Sequence, residues 1–148
     1  MSALHAAEDD PEIAAPEAGI VEQFHCSLAQ QRFWILEQLD PGNPALNIAV
    51  RWRLEGRLAH DVLEQAWRLL LARHQALRTG SGKASGEALQ IVAPEIPFAI
   101  PIVDLTRLRE GQARVEAERL ARQEARVSFN VAVAPLIRVT RLDRKSVV

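Results

Sequence analysis

Hydrophobic and polar positions change their period several times along this chain, and each change marks an element. Leu28, Ile35, Leu36 and Leu39 recur at helical spacing and share one face. Ser27 stands where an N-cap is needed, and Gln30 follows at the spacing of a capping box. Pro41, Gly42 and Pro44 stop this first helix. From Leu46 to Leu54 the period drops to two. Leu46, Ile48, Val50, Trp52 and Leu54 fall on one side, with Asn47, Arg51 and Arg53 on the other and Ala49 as a neutral fourth. That alternation predicts a half-buried strand. Helical spacing returns over His60 to His74, where Leu63, Trp67, Leu70 and Leu71 form the stripe beside Val62 and Ala66.

The stretch Thr79 to Glu87 carries Gly80, Gly82 and Gly86 with Ser81 and Ser85, and reads as a loop or turn. Short strands are expected at Ala88 to Val92 and Phe98 to Val103, limited to edges or ends by Pro94, Pro97 and Pro101. A third helix fits Gly111 to Val127, with Glu118 and Arg122 as a favourable i,i+4 pair and Val115 and Leu120 on its apolar side. Phe129 leads into a turn ending at Pro135, and Leu136 to Leu142 begins another strand. Asp143, Arg144 and Lys145 suggest a hairpin, with Ser146 to Val148 opening a return strand. The class implied is α+β: an open mixed sheet with about three helices. A chain that ends within a strand leaves backbone groups unpaired, so a truncated domain is expected.

Composition narrows the function classes. Residues 1–20 carry Glu8, Asp9, Asp10, Glu12 and Glu17 with no basic residue, plus Pro11 and Pro16, and read as a flexible acidic leader, with a docking segment as the functional alternative. Neither Lys nor Arg precedes Arg32, and no apolar run opens the chain, so a secretory signal is not indicated. A formal charge of −1 with 25% charged residues lacks the basic excess of a nucleic-acid binder. No uninterrupted apolar stretch is long enough to span a bilayer. Cys26 is the single cysteine, so no intramolecular disulfide can form; this suits a reducing cytosol.

Candidate chemistry is sparse. His5, His25, His60 and His74 show no zinc-helix spacing, and Cys26 has no cysteine partner. Cys26 beside His25 reads as a small half-buried apolar residue, since adjacent side chains seldom converge into a nucleophile and its base. Gly80-Ser81-Gly82-Lys83 lacks the phosphate-loop spacing and reads as a solvated turn. Asp61, Glu64 and Glu87 form no carboxylate pair that the pattern can place.

Four stretches carry a resemblance. Ser27-Leu28-Ala29-Gln30-Gln31-Arg32-Phe33-Trp34-Ile35-Leu36 resembles S-x-A-Q-x-R-[LM]-[WY]-x-L, the first core motif of nonribosomal peptide synthetase condensation domains. Leu39-Asp40-Pro41-Gly42-Asn43-Pro44 to Asn47-Ile48 is similar to that family's continuation. Arg73-His74-Gln75-Ala76-Leu77-Arg78-Thr79 resembles R-H-E-x-L-R-T-x-F, with Gln75 replacing the glutamate and Ser81 the final phenylalanine. Phe129-Asn130-Val131 to Pro135-Leu136-Ile137-Arg138 resembles F-D-L…P-L-x-R. All four occur in the family's order.

The resemblance implies part of a chloramphenicol acetyltransferase-like fold, with residues 21–148 as the N-terminal portion of the domain. It implies amide formation between acyl or aminoacyl thioesters carried on the phosphopantetheine arms of carrier domains. Carrier domains and adjacent synthetase modules are the implied partners, with no cofactor bound directly, no metal, no nucleic acid and no membrane. The motif residues so marked are Ser27, Gln30, Arg32, Trp34, Arg73, His74 and Arg78. The family's catalytic H-H-x-x-x-D-G is not among these 148 residues, so no catalytic residue is assigned and this stretch alone is expected to be inactive. Arg78 is the candidate partner of that motif's aspartate. Epimerisation and heterocyclisation domains and standalone acyltransferases share the early motifs, and a non-catalytic docking module is the reading from another class.

Overall fold

The computed structural model describes residues 22–84 and 86–144. The acidic leader and the expected return strand lie outside them. Strand β1 (Glu22–His25) leads into helix α1 (Leu28–Leu39), and a single 3₁₀ turn (Pro44–Leu46) follows. Helix α2 (His60–Arg73) continues through a second 3₁₀ turn (Gln75–Arg78) into strands β2 (Thr79–Ala84) and β3 (Glu87–Val92). Strand β4 (Ile102–Asp104), helix α3 (Glu110–Ala125) and strand β5 (Arg141–Asp143) complete the order.

The α+β class and the three helices agree with the sequence pattern. Mixed strand sense is divided between two sheets. One is antiparallel with order β1-β3-β2; the other is the parallel pair β4-β5. The parallel pair is lengthened at each end by Arg141 N–H donating to the Pro101 carbonyl (2.9 Å) and Leu105 N–H to the Asp143 carbonyl (2.8 Å).

Helix α1 begins as its cap residues dictate. Ser27 Oγ accepts from Gln30 N–H at 3.3 Å, and Gln30 Oε1 accepts from Ser27 N–H at 2.8 Å, closing the capping box. Ser27→Ala is expected to lower stability by about 1 kcal/mol, read as a shift in urea midpoint at constant slope. The Gln30 amide also donates to Gln90 Oε1 on β3 (2.9 Å), so the cap ties the helix to the sheet.

Three expectations are corrected. The glycine-rich stretch from Thr79 is not a solvated turn: Thr79 to Ala84 form β2, which pairs with β3 from Thr79↔Val92 to Ala84↔Glu87. Its glycines serve close approach. A Cβ on Gly80 would stand 2.8 Å from the Ala132 carbonyl oxygen, and one on Gly82 would meet the tip of Ile91. Only Gly86, at φ +86°, makes the turn. Gly80→Ala is therefore expected to cost about 1–3 kcal/mol. Gly82→Ala costs less, because a side-chain tip yields where a carbonyl does not; equal melting shifts for the two variants would contradict this.

Second, the alternating run Leu46 to Leu54 forms no strand. It has the right period but no partner among the described residues, and its apolar side chains are exposed. Third, Phe98 to Val103 yields only the short β4, and Leu136 to Leu142 only the start of β5. Pro97 and Pro101 lack the N–H a ladder needs. The backbone at residues 98–100 instead docks on α2: Arg68 Nε–H donates to the Phe98 carbonyl (3.0 Å), and Glu64 Oε2 accepts from Ile100 N–H (3.0 Å).

The core sits in that joint. Leu71, Phe98 and Ile100 are buried, with Leu63, Trp67, Leu77, Ile137 and Val139 packed around them. Trp67 and Phe98 rings lie 5.9 Å apart at 31°, within the range of favourable aromatic pairs. The α2 stripe thus meets its role at Leu63, Trp67 and Leu71, whereas Leu70 and Val62 stay exposed. Helix α1 buries none of its residues. Val115, expected on the apolar side of α3, is also exposed.

Candidate functional site

The second motif and the continuation stretch around Asn47 both meet the fourth motif segment, whereas the first motif, on α1, is tied to β3. The second motif begins at the end of α2, where Arg73 is the last helical residue and His74 the C-cap. The Arg73 cation there complements the helix dipole. The motif then runs through the 3₁₀ turn into β2. Ser81 N–H donates to the Val131 carbonyl at 2.7 Å, and Gly80 packs on Ala132, so β2 is bound to the fourth motif segment. Gln75, which replaces the motif's glutamate, donates its amide to Glu22 Oε2 at 3.0 Å. A glutamate there would set two carboxylates face to face.

Around the C-terminus of α3 a second cluster forms, and sequence reasoning gave it no role. The last carbonyls of a helix need donors from outside. Asn47 supplies one amide to Ala125 (3.0 Å) and Val127 (2.8 Å). The N–H groups of Arg126 and Val127 serve Gln123 and Glu124, and Arg138 binds the carbonyls just beyond. Its guanidinium donates to the Val127 (2.5 Å), Ser128 (2.9 Å) and Glu124 (3.5 Å) carbonyls and pairs with the Glu124 carboxylate at 2.9 Å. The same guanidinium lies 3.9 Å from the Phe129 ring centre, a cation–π contact. Asn47, Phe129 and Arg138 all belong to the motif stretches; the bare string of letters contained them but not their meeting.

The remaining marked residues divide by environment. Ser27 and Gln30 cap α1, and Trp34 is half-buried. Arg32, Arg73 and His74 are exposed, and their side chains make no hydrogen bond or ion pair among the described residues. Arg78 is different. One terminal nitrogen donates to the Ala93 carbonyl, and Ala93 N–H returns a bond to the Arg78 carbonyl at 2.9 Å. Its Nε is buried without a partner among the described residues. A buried orphan donor is uncommon.

Cys26 is buried at 6% exposure rather than half-buried, with its thiol pKa pushed up by burial. A raised thiol pKa is the opposite of what a nucleophile needs. His25 points to Glu87 across 3.4 Å. Among the described residues no His, Cys, Asp or Glu group could hold a metal ion. No helix there is long and apolar enough to cross a membrane. Hollows beside α3, at Asp104, Leu105, Arg107 and Leu108 and at Glu118, Arg119 and Arg122, contain none of the motif residues.

Three helices, two small sheets and clustered motifs define one lobe of a larger α+β domain. Residues 21–147 match the condensation-domain family, and the chain belongs to it. It is 37% identical over 114 residues to one of the linear gramicidin synthase proteins of Brevibacillus parabrevis, covering 77% of this chain and 2% of that protein. Tyrocidine synthase 3 of the same organism is 34% identical over 119 residues, covering 80% of this chain and 2% of the synthase. Two solved structures share the fold. The starter condensation domain of rhizomide synthetase RzmA has TM-score 0.74 at 24% identity, over 82% of this chain and 30% of that one. The first condensation domain of the calcium-dependent antibiotic synthetase has TM-score 0.77 at 18% identity, over 86% and 32%. The chain therefore spans about a third of a solved condensation domain and a small part of the synthases.

Proposed function

We propose that this chain is the first part of a condensation domain working in a nonribosomal peptide synthetase. The observation that carries the reading is the gathering of motif segments, in the family's order, within a lobe of the condensation-domain fold. In the whole domain, the amine of an acceptor attacks the carbonyl carbon of a donor thioester. A C–N bond forms, the C–S bond breaks, and the thiol leaves as the amine gives up a proton. Donor and acceptor arrive on phosphopantetheine arms of carrier domains, which together with adjacent modules are the partners. No cofactor is held by this lobe, and the setting is the cytoplasm.

The family resemblance gives the handling of the amine proton to the second histidine of H-H-x-x-x-D-G. No two of this chain's four histidines are adjacent, so these residues alone bring no such base to the reaction. Arg78 is assigned as the partner of that motif's aspartate. Its buried, unpartnered Nε supports this, since an incoming carboxylate would satisfy it.

The test uses the polypeptide translated from the complete reading frame, mixed with carrier domains loaded with donor and acceptor, and mass spectrometry of the product. Amide formation is expected from it and not from residues 1–148 alone. Arg78→Ala in the longer polypeptide is expected to slow the reaction at least tenfold. A heterocyclic or epimerised product would move the assignment to a sibling domain, and turnover by the 148 residues alone would refute the division of labour.

A further inference from the structure

Charge is divided unevenly between the start of this chain and the rest. All 18 Lys and Arg but only 14 of the 19 Asp and Glu follow residue 20, so residues 21–148 carry a formal +4 against −5 in residues 1–20. Part of that excess is gathered on one side of α3. Val115, Arg119, Arg122 and Arg126 recur at helical spacing, and all four are exposed. They line a hollow of about 600 Å³ together with Gln123 and a single carboxylate, Glu118. Glu118 is already shared, since Arg114 and Arg122 each lie 3.6 Å from it. Arg126 makes no ion pair among the described residues. Arg122 and Arg126 also stand at i,i+4, where like charges weaken a helix. The row thus costs α3 stability and leaves unmatched positive charge around an exposed apolar residue, Val115.

What covers this row can be argued from charge, position and length. A second copy docking through the same face would set arginines against arginines. Residues 1–20, with Glu8, Asp9, Asp10, Glu12, Glu17 and no Lys or Arg, are complementary to it. They join the described chain just before Glu22, which is in register with Val92 and, through it, with Thr79. Two residues along β2, Ser81 bonds to the Val131 carbonyl, five residues past Arg126. Strand spacing and chain length therefore place Arg126 no more than about 40 Å from Glu22. Glu12 and Glu8 precede Glu22 by 10 and 14 residues, which span up to about 33–50 Å when extended. We propose that the acidic leader, through residues 8–17, docks on the arginine row of α3 in its own chain and closes that row to other acidic partners while it lies there. Little intrinsic affinity is needed, because a tether of this kind supplies an effective concentration of the order of millimolar. This contact is independent of the reaction proposed above.

The test compares amide NMR spectra of the full 148-residue chain with those of a variant whose leader is neutral (Glu8→Gln, Asp9→Asn, Asp10→Asn, Glu12→Gln and Glu17→Gln together). At about 0.02 M salt the amides of Arg119 to Arg126 should differ between the two chains while those of α2 do not. In about 0.5 M salt, where surface charges are screened within a few ångströms, that difference should shrink at least about fivefold. A second variant, Arg122→Gln with Arg126→Gln, reads the contact from the other side: the amides of residues 8–17 should move, and those of α2 should stay in place. Poly-glutamate added at low salt should shift the α3 amides of the neutral-leader variant at a concentration at least about tenfold lower than it needs with the native leader, because a tethered competitor is gone. Four results overturn the proposal: no difference at α3, a difference confined to another element, a difference that fades on dilution and so belongs to a neighbouring copy's leader, or equal response of the two chains to poly-glutamate. None of these outcomes bears on amide formation by the complete reading frame.

Discussion

Phe98→Ala is expected to lower the stability of this chain by about 3–5 kcal/mol, the usual cost of removing a buried aromatic ring. Phe98 is 8% exposed and joins Leu71 and Ile100 at the centre of the core, with the Trp67 ring beside it. Small domains rarely hold more than about 5–15 kcal/mol in total, and a lobe with so much exposed apolar surface stands low in that range. The variant should therefore show no cooperative urea transition at 25 °C. Trp67 fluorescence is the natural probe, because it reports on the ring that loses its neighbour. A midpoint within the error of the unsubstituted chain would mean that Phe98 is not a core residue.

Arg138→Ala should cost about 2–4 kcal/mol, since hydrogen bonds to a charged group are worth about 1.5–3 kcal/mol and a cation–π contact about 0.5–1 kcal/mol at exposed sites. The loss is local in its consequences. Without the guanidinium the Ser128 carbonyl loses its donor, while Val127 keeps only the Asn47 amide and Glu124 only backbone N–H groups, so the end of α3 loosens. Amide exchange should rise across the last turn of α3 and the loop to Pro135, more than in α2. Arg138→Lys keeps the charge but cannot reach several carbonyls and the Phe129 face together, so it should recover less than half of the loss. Full rescue by lysine would show that charge alone, and not the fork geometry, holds this corner.

How much of this was legible beforehand depends on whether the signal was local. Helices α1, α2 and α3 were readable within a residue or two, because apolar spacing and caps lie close together in sequence. The capping box at Ser27 and Gln30 needed only the two residues named. Strand β2 was misread, because Gly80 and Gly82 carry the same letters as a turn. Their real cause is the approach of Ala132 and Ile91, dozens or nearly ten residues away. The run Leu46 to Leu54 shows the opposite failure: its pattern is that of a strand, but pairing needs a second segment that the described residues do not provide. Strand β1, only four residues long, offers too few positions to establish a period.

The site divides in the same way. Motif letters marked Ser27, Gln30, Arg73, His74 and Arg78, and the structure places the first two in a cap and the next two at a helix end. The joining of Asn47, Phe129 and Arg138 at α3 brings Asn47 onto Val127, 80 residues away in the chain, and no periodicity announces it. The docking of Phe98 and Ile100 on Arg68 and Glu64 was hidden too, since an i,i+4 charge pair on a helix ordinarily reads as solvated surface.

Sequencing the DNA that follows the codon for Val148, read in every frame, tests the central claim most directly. The account predicts a strand-like stretch soon afterwards that leads into H-H-x-x-x-D-G, with the aspartate proposed as the partner of Arg78. Several hundred bases without that motif in any frame would contradict it.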